Sequence, residues 1–343
     1  MVEGGNIFYA ENEEEPVAYP WKQEECYLGT EDTGYFLFRV VYRADEIIFS
    51  IHHGVTDGKG VMQIMKTLLS DYAKYRKGEI SKELREGAAP EVIEDVYEKY
   101  GNMEQEPFYL VKNNGAFVIP EPYYSEEDTS CRRLKITCSM NDLLKVSKRS
   151  QSTPVPVLAA MISEAVEALY EVGEQSITGY IPVNLRPMFQ SETLCNSSIA
   201  ITLPYSPRLS EKDMDLKCTV LRGIMDLQIQ KENFVYRMGR QIEMGRQREA
   251  LDMPAEMKQK VYVDRLTKGS RSLYTYLLTY VGEFTVPEEA ASIVKDVYFS
   301  IPAYLVPLSI FASADKDVMR LSCTQNFKTD AVVKKIVEPP EIH

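Results

Sequence analysis

The strand and helix pattern of the sequence is compatible with an α/β protein, α+β in layout, and its length points to two lobes. Three observations carry this. At 343 residues the chain is long for one ordinary core. An aromatic, β-branched strand pair follows a polar connecting segment and runs into an amphipathic helix. A second succession of strands and helices follows an acidic stretch broken by prolines.

Residues 1–33 are polar and acidic, with Pro16 and Pro20, and read as a connecting segment. Tyr35 to Tyr42 is a nearly continuous apolar run suited to a strand covered on both faces. Ala44 and Asp45 make a short turn, and Glu46 to His52 reads as the antiparallel partner. Val61, Ile64, Met65, Leu68, Leu69 and Tyr72 then form one apolar helical stripe, closed by Lys74, Arg76, Lys77 and Gly78. Residues 79–129 are acidic and interrupted by Pro90, Pro107, Pro120 and Pro122; a helix near 91–100 and a long crossover loop are expected there. The boundary falls in this stretch, giving lobes at 1–128 and 129–343.

The second lobe opens with a strand near 131–138. Ser139 and Asp142 cap a short helix, and Thr153-Pro154 opens a stronger one striped by Leu158, Met161, Ile162, Ala165 and Leu169. Strands are expected near 176–184 and 197–204. Ser210 is read as the cap of a long helix striped by Met214, Cys218, Leu221 and Met225. A helix near 255–267, strands near 272–280, 295–301, 307–313 and 318–326, and a helix near 329–336 complete the reading.

Composition bounds the function. The net charge is -12, with 44% hydrophobic and 26% charged residues and no basic tract. Nucleic acid is therefore a poor partner, because neutralising phosphates needs clustered cations. Six cysteines without a CxxC pair and three histidines make a structural zinc site improbable and read as reduced thiols of a cytoplasmic protein. No apolar run has the length of a membrane span, and the first residues do not resemble a signal peptide.

The informative stretch is His52-His53-Gly54-Val55-Thr56-Asp57-Gly58, between a strand and a helix. Two of the three histidines sit there. Imidazole is the side chain whose ordinary titration lies nearest neutrality, so it suits taking a proton and returning it. Successive strand residues point to opposite faces, so one of His52 and His53 is the base and the other structural. Gly54 and Gly58 allow a sharp turn and close approach, and Asp57 precedes a helix, where a carboxylate is favoured. A metal reading of His-His-Asp lacks a third ligand.

This stretch resembles the HHxxxDG signature of the chloramphenicol acetyltransferase and condensation-domain group. Ile181-Pro-Val-Asn-Leu-Arg-Pro187 with Thr193-Leu-Cys-Asn196 resembles a segment of its alcohol acetyltransferase-like members, and Thr279-Tyr-Val-Gly-Glu283 a late turn of the second lobe. The resemblance implies two similar lobes, each a mixed sheet backed by helices, with a channel between them. It implies that His53 is the general base and Asp57 a structural carboxylate paired with an arginine, for which Arg186 is the candidate. Asn196, Tyr280 and Gly282 become candidates for lining the substrate site.

The implied reaction is acyl transfer from acyl-coenzyme A, a co-substrate rather than a resident cofactor, to a small hydroxyl or amine acceptor. Rival readings are condensation on a carrier-protein thioester and a non-catalytic relative that binds ligands or another chain. Group members usually have a further strand and helix ahead of the segment resembling 1–33. An incomplete first lobe is therefore expected, with an exposed sheet edge that a second copy of the chain could cover. Arg237, Arg240, Arg246 and Arg248 read as a solvated helix face rather than a site for coenzyme A phosphates.

Overall fold

The structure is a computed structural model that describes residues 12–21, 27–79, 95–121 and 131–338, together with the backbone of two short strands near the start. In chain order, β1 (Val2–Glu3) pairs with β2 (Asn6–Ile7). β3 (Ala18–Pro20), β4 (Phe38–Arg43) and β5 (Glu46–Ile51) form a small sheet, and α1 (Gly58–Arg76) and α2 (Val96–Tyr100) follow. Then come β6 (Arg132–Ser139), α3 (Met140–Arg149), α4 (Pro154–Glu167), β7 (Ile177–Asn184), α5 (Arg186–Phe189), β8 (Ser198–Tyr205) and α6 (Pro207–Ser210). α7 (Met214–Gln228), α8 (Lys231–Glu249), α9 (Ala255–Leu273), β9 (Tyr276–Glu283), β10 (Leu308–Asp315), β11 (Val318–Gln325) and α10 (Ala331–Val337) complete the chain.

The fold is mixed α/β with two main sheets. The smaller has the order β3-β4-β5, and the larger runs β6-β11-β10-β9-β7-β8. β4 and β5 pair antiparallel around the Ala44–Asp45 turn, while β3 adds in parallel on the other side of β4. The segment read as a connector thus contributes a strand.

Alternation along the large sheet separates two cores. On β10, Leu308, Ile310, Ala312 and Ala314 turn toward α3, α4, α7 and α10, which cover one face. Phe311 turns the other way and meets Met62, Leu69 and Ala73 of α1, with Val281 of β9 and Phe284, Ala290 and Phe299. Burying side chains such as Met62 and Leu69 stabilises the docking of α1 by about 1.5–3 kcal/mol each. α1 therefore presents its N-terminus at the opposite face of the large sheet from the helical layer.

β8 is an edge strand, and three side chains blunt it. Tyr97 Oη donates to the Ser198 carbonyl at 2.9 Å, and Arg237 Nη1 to that of Ala200 at 2.7 Å. Gln228 closes a two-way bridge with the Thr202 backbone at 3.1 and 2.6 Å. Backbone groups that could template pairing with another chain are thus satisfied internally.

Three element readings are corrected. Ser210 ends the one-turn α6, and Asp213 caps α7 by accepting from the Leu216 N–H at 2.9 Å; an ionised carboxylate next to the first striped residue, Met214, is the better cap. Residues 295–301 form no strand. Val297, Phe299 and Ile301 alternate as a strand would, but they pack onto the α1 core without pairing their backbone, Phe299 stacking on Phe311 at 5.5 Å. The strand read at 272–280 starts later, at Tyr276, because α9 continues through Leu273. The start of the helix read at 91–100 lies outside the described residues.

Candidate functional site

The turn between β5 and α1 fixes two histidines in different ways. The His52 N–H donates to the Leu37 carbonyl at 2.8 Å, so that residue still belongs to the hairpin. Its ring Nδ1 accepts from the Gly54 N–H at 3.1 Å. The neutral ring must then carry its proton on Nε2. His53 is reversed: Nδ1 lies 2.9 Å from the Thr56 carbonyl, which can only accept, so Nδ1 carries the proton and Nε2 the lone pair. The two imidazoles thus present opposite tautomers. Both residues are exposed.

Asp57 is the keystone beneath them, only 6% exposed. Its Oδ1 caps α1 by accepting from the backbone N–H groups of Lys59 and Gly60, each at 3.0 Å. Its Oδ2 accepts from Arg186 Nη1 at 2.9 Å and from the Ser197 N–H at 2.8 Å. Four donors, one of them a cation, offset the desolvation of a buried carboxylate.

Arg186 extends the lock. Its Nε donates to the Thr193 carbonyl at 2.6 Å, Nη1 also to Asn184 Oδ1 at 2.9 Å, and Nη2 to the Cys195 carbonyl at 2.7 Å. All three guanidinium nitrogens are used, Nε and Nη2 of them in holding the loop 193–197. Thr56 Oγ donates to the Leu194 carbonyl at 2.6 Å, and Asn196 Nδ2 donates to the His53 carbonyl at 3.0 Å. Ser198 Oγ donates to Asn196 Oδ1 at 3.0 Å, which turns the Asn196 amide nitrogen toward His53. Segments about 140 residues apart thereby hold one imidazole between them.

Two glycines permit this closeness. A Cβ on Gly60 would lie 2.0 Å from Thr56 Oγ and 2.3 Å from the Leu194 carbonyl oxygen; one on Gly58 would lie 2.7 Å from Val281. Both would break the seat of the helix.

The structure therefore brings together His53, Asp57, Arg186 and Asn196, with His52 and Gly58 beside them. Tyr280 and Gly282 lie on β9, Gly282 beside Lys59 of α1. Tyr280 packs against the helix-covered core, where burial raises its phenol above the ordinary value, and no hydrogen bond among the described residues joins it to His53. Gly282 adopts a left-handed φ of 84°, and a Cβ there would lie 3.3 Å from Lys59 Nζ. Burial lowers the Lys59 ammonium first, aided by Lys66 and Arg186. Thr56, Ser197 and Tyr97 are the partners that reading by sequence overlooks; Thr56 sits inside the motif at a variable position, while the other two have no local signal.

The arginines of α8 are not all solvated. Arg237 turns inward to the edge of β8, because the Ala200 carbonyl there needs a donor. Among the described residues, no group of three or more His, Cys, Asp and Glu could hold a metal ion, and no helix is long and apolar enough to cross a membrane.

No family model matches the chain, and no curated protein matches it. Solved structures do. Polyketide synthase associated protein 5 from Mycobacterium tuberculosis aligns with a TM-score of 0.60 at 12% identity, over 93% of this chain and 78% of the other. The trichothecene 15-O-acetyltransferase TRI3 from Fusarium sporotrichioides gives 0.60 at 12% identity, over 89% and 70%. The epimerization domain from the third module of tyrocidine synthetase B gives 0.54 at 14% identity, over 88% and 71%. The chain shares the mixed α/β, two-sheet fold of these solved structures.

Proposed function

We propose that the protein is an acyltransferase that moves an acyl group from a thioester, acyl-coenzyme A, to a hydroxyl or amine, with His53 as general base. The observation that carries this reading is the bond from His53 Nδ1 to the Thr56 carbonyl. It leaves the basic nitrogen, Nε2, free of the turn's hydrogen bonds on an exposed residue, the arrangement a base needs to meet an incoming acceptor. Likeness in fold to an acetyltransferase supports the same chemistry.

In this mechanism Nε2 takes the acceptor's proton as its oxygen or nitrogen attacks the thioester carbonyl. The tetrahedral intermediate collapses, the carbon–sulfur bond breaks, and the imidazolium returns the proton to the departing thiolate. The product ester or amide and a free thiol leave, and the ring is restored. As the imidazolium forms, the Thr56 carbonyl continues to accept from Nδ1 and steadies the new charge. Asp57 and Arg186 act as positioning residues: they hold the turn and the 193–197 loop that fix the ring.

The test is release of free thiol from acetyl-coenzyme A in the presence of a panel of alcohols and amines. Acceptor-dependent release supports the reading. Absence of release from acetyl-coenzyme A and from longer acyl-coenzyme A donors, with release from a carrier-protein thioester instead, moves the donor to the carrier. Absence with every thioester removes the reading.

A further inference from the structure

Arg186 and Arg237, two arginines that turn inward on this fold, differ in one respect. Arg186 spends every nitrogen on protein acceptors. Arg237 spends one. Its Nη1 holds the Ala200 carbonyl, its Nε is buried without a hydrogen-bond partner, and no carboxylate among the described residues pairs with it. The nitrogens left over, Nε and Nη2, share one side of the guanidinium plane. They form the side-on fork that takes both oxygens of a carboxylate at once.

The surroundings suit an aromatic or apolar acid. Tyr180 and Thr202 are directly opposite each other on β7 and β8, two residues along β8 from Ala200. Tyr274 stands edge-on to Tyr180 with ring centroids 5.0 Å apart, and its hydroxyl lies 3.3 Å from Thr202 Oγ. Tyr262 and Tyr304 are within electrostatic reach of Tyr180, and Tyr304 is 48% exposed, on the solvent side. Arg248, three turns along α8 from Arg237, lies 5.0 Å over the Tyr262 ring. Burial pushes the Tyr180 phenol up to about 12, with Tyr274 and Tyr304 adding to it, so it remains a neutral donor at physiological pH. Burial likewise lowers the Arg237 guanidinium, the strain of a cation held without a counter-charge. A bound carboxylate would relieve it.

We propose that Arg237, with Tyr180, Tyr274 and Thr202, forms a subsite for the carboxylate of an aromatic or apolar acid. Taken with the acyltransferase reading, on which this extension rests, that acid is the acyl acceptor. Asn196, which touches His53, is four residues before Ala200, which touches Arg237. Nearly extended chain covers this in roughly 13 Å. The acceptor is then elongated, with its reacting hydroxyl or amine roughly that far from its carboxylate.

The test is calorimetric titration of the intact protein with benzoate, and with benzamide as its neutral counterpart. Benzoate is expected to bind at least ten-fold more tightly than benzamide. Arg237→Gln, which keeps a donor for Ala200, is expected to weaken benzoate at least ten-fold. Tyr274→Phe, which deletes one hydroxyl, is expected to weaken it at least three-fold and decides the matter if the arginine variant does not fold. Equal affinity for benzoate and benzamide overturns the subsite, as does wild-type affinity in Tyr274→Phe together with a folded Arg237→Gln. No binding of benzoate overturns it too. Displacement of benzoate by millimolar inorganic phosphate overturns its selectivity for a carboxylate. The titration involves no turnover, so a protein that binds benzoate through Arg237 but transfers no acyl group refutes the acyltransferase reading alone.

Discussion

Asp57 shows how one buried carboxylate can organise a site built from two distant segments. It caps α1, pairs with Arg186 and receives the Ser197 N–H. Removing one partner from such a pair leaves an uncompensated charge, which typically costs about 3–5 kcal/mol. Asp57→Ala is expected to lower unfolding free energy by an amount of that order in urea titrations, and Arg186→Met by a similar amount. Because both residues act on the same loop, the double variant should lose much less than the sum. Full additivity would mean that the pair does not couple the two segments.

The same residues show what a sequence discloses. His53, Asp57 and Arg186 could be singled out because they fall in compact motifs, and the resemblance of those motifs to known signatures implies their roles. The tautomer that separates His53 from His52 could not, since it depends on which backbone groups the turn brings to each ring. Arg237 was read as solvated because its partner lies 37 residues away on a strand edge, and nothing near it in sequence signals that edge.

At the scale of elements, the close seating of α1 rests on residues without side chains. Gly60→Ala is expected to destabilise the fold by about 1–3 kcal/mol, the usual cost of forcing atoms into a packed contact, and to displace the 193–197 loop. Gly223 offers the opposite case. It is exposed inside α7, and a Cβ there meets nothing within 4 Å. Gly223→Ala should raise stability by about 0.5–1 kcal/mol. Thermal unfolding of the two variants checks both signs. Most helices and strands were legible because their apolar period is 3.6 or 2. The 295–301 segment was misread for the same reason: alternation reports a buried face, and a loop laid along a core can alternate without ever pairing.

At the scale of the molecule, the large sheet divides its labour between its faces. One face carries the helical layer and the main core, and the other receives α1 and with it the histidine turn. This layering also sorts the thiols. Burial pushes Cys138 and Cys218 up to about 11 and Cys323 up to about 12, so at pH 8 each is an almost wholly neutral thiol, well below its titration. Cys131 is exposed at the start of β6. Iodoacetamide at pH 8 should label Cys131 at least ten-fold faster than Cys218 or Cys323, read by peptide mass spectrometry. Equal labelling would show that the core opens on the timescale of the reaction.

In the proposed mechanism one of two adjacent imidazoles presents its free lone pair to the substrate. Single-turnover thiol release from acyl-coenzyme A, with an accepting alcohol or amine, measures this most directly in the His53→Ala and His52→Ala proteins. A loss of at least about 100-fold is expected for His53→Ala, the usual weight of a general base, and a much smaller loss for His52→Ala. Equal rates in wild type and His53→Ala, or the larger loss in His52→Ala, would contradict it.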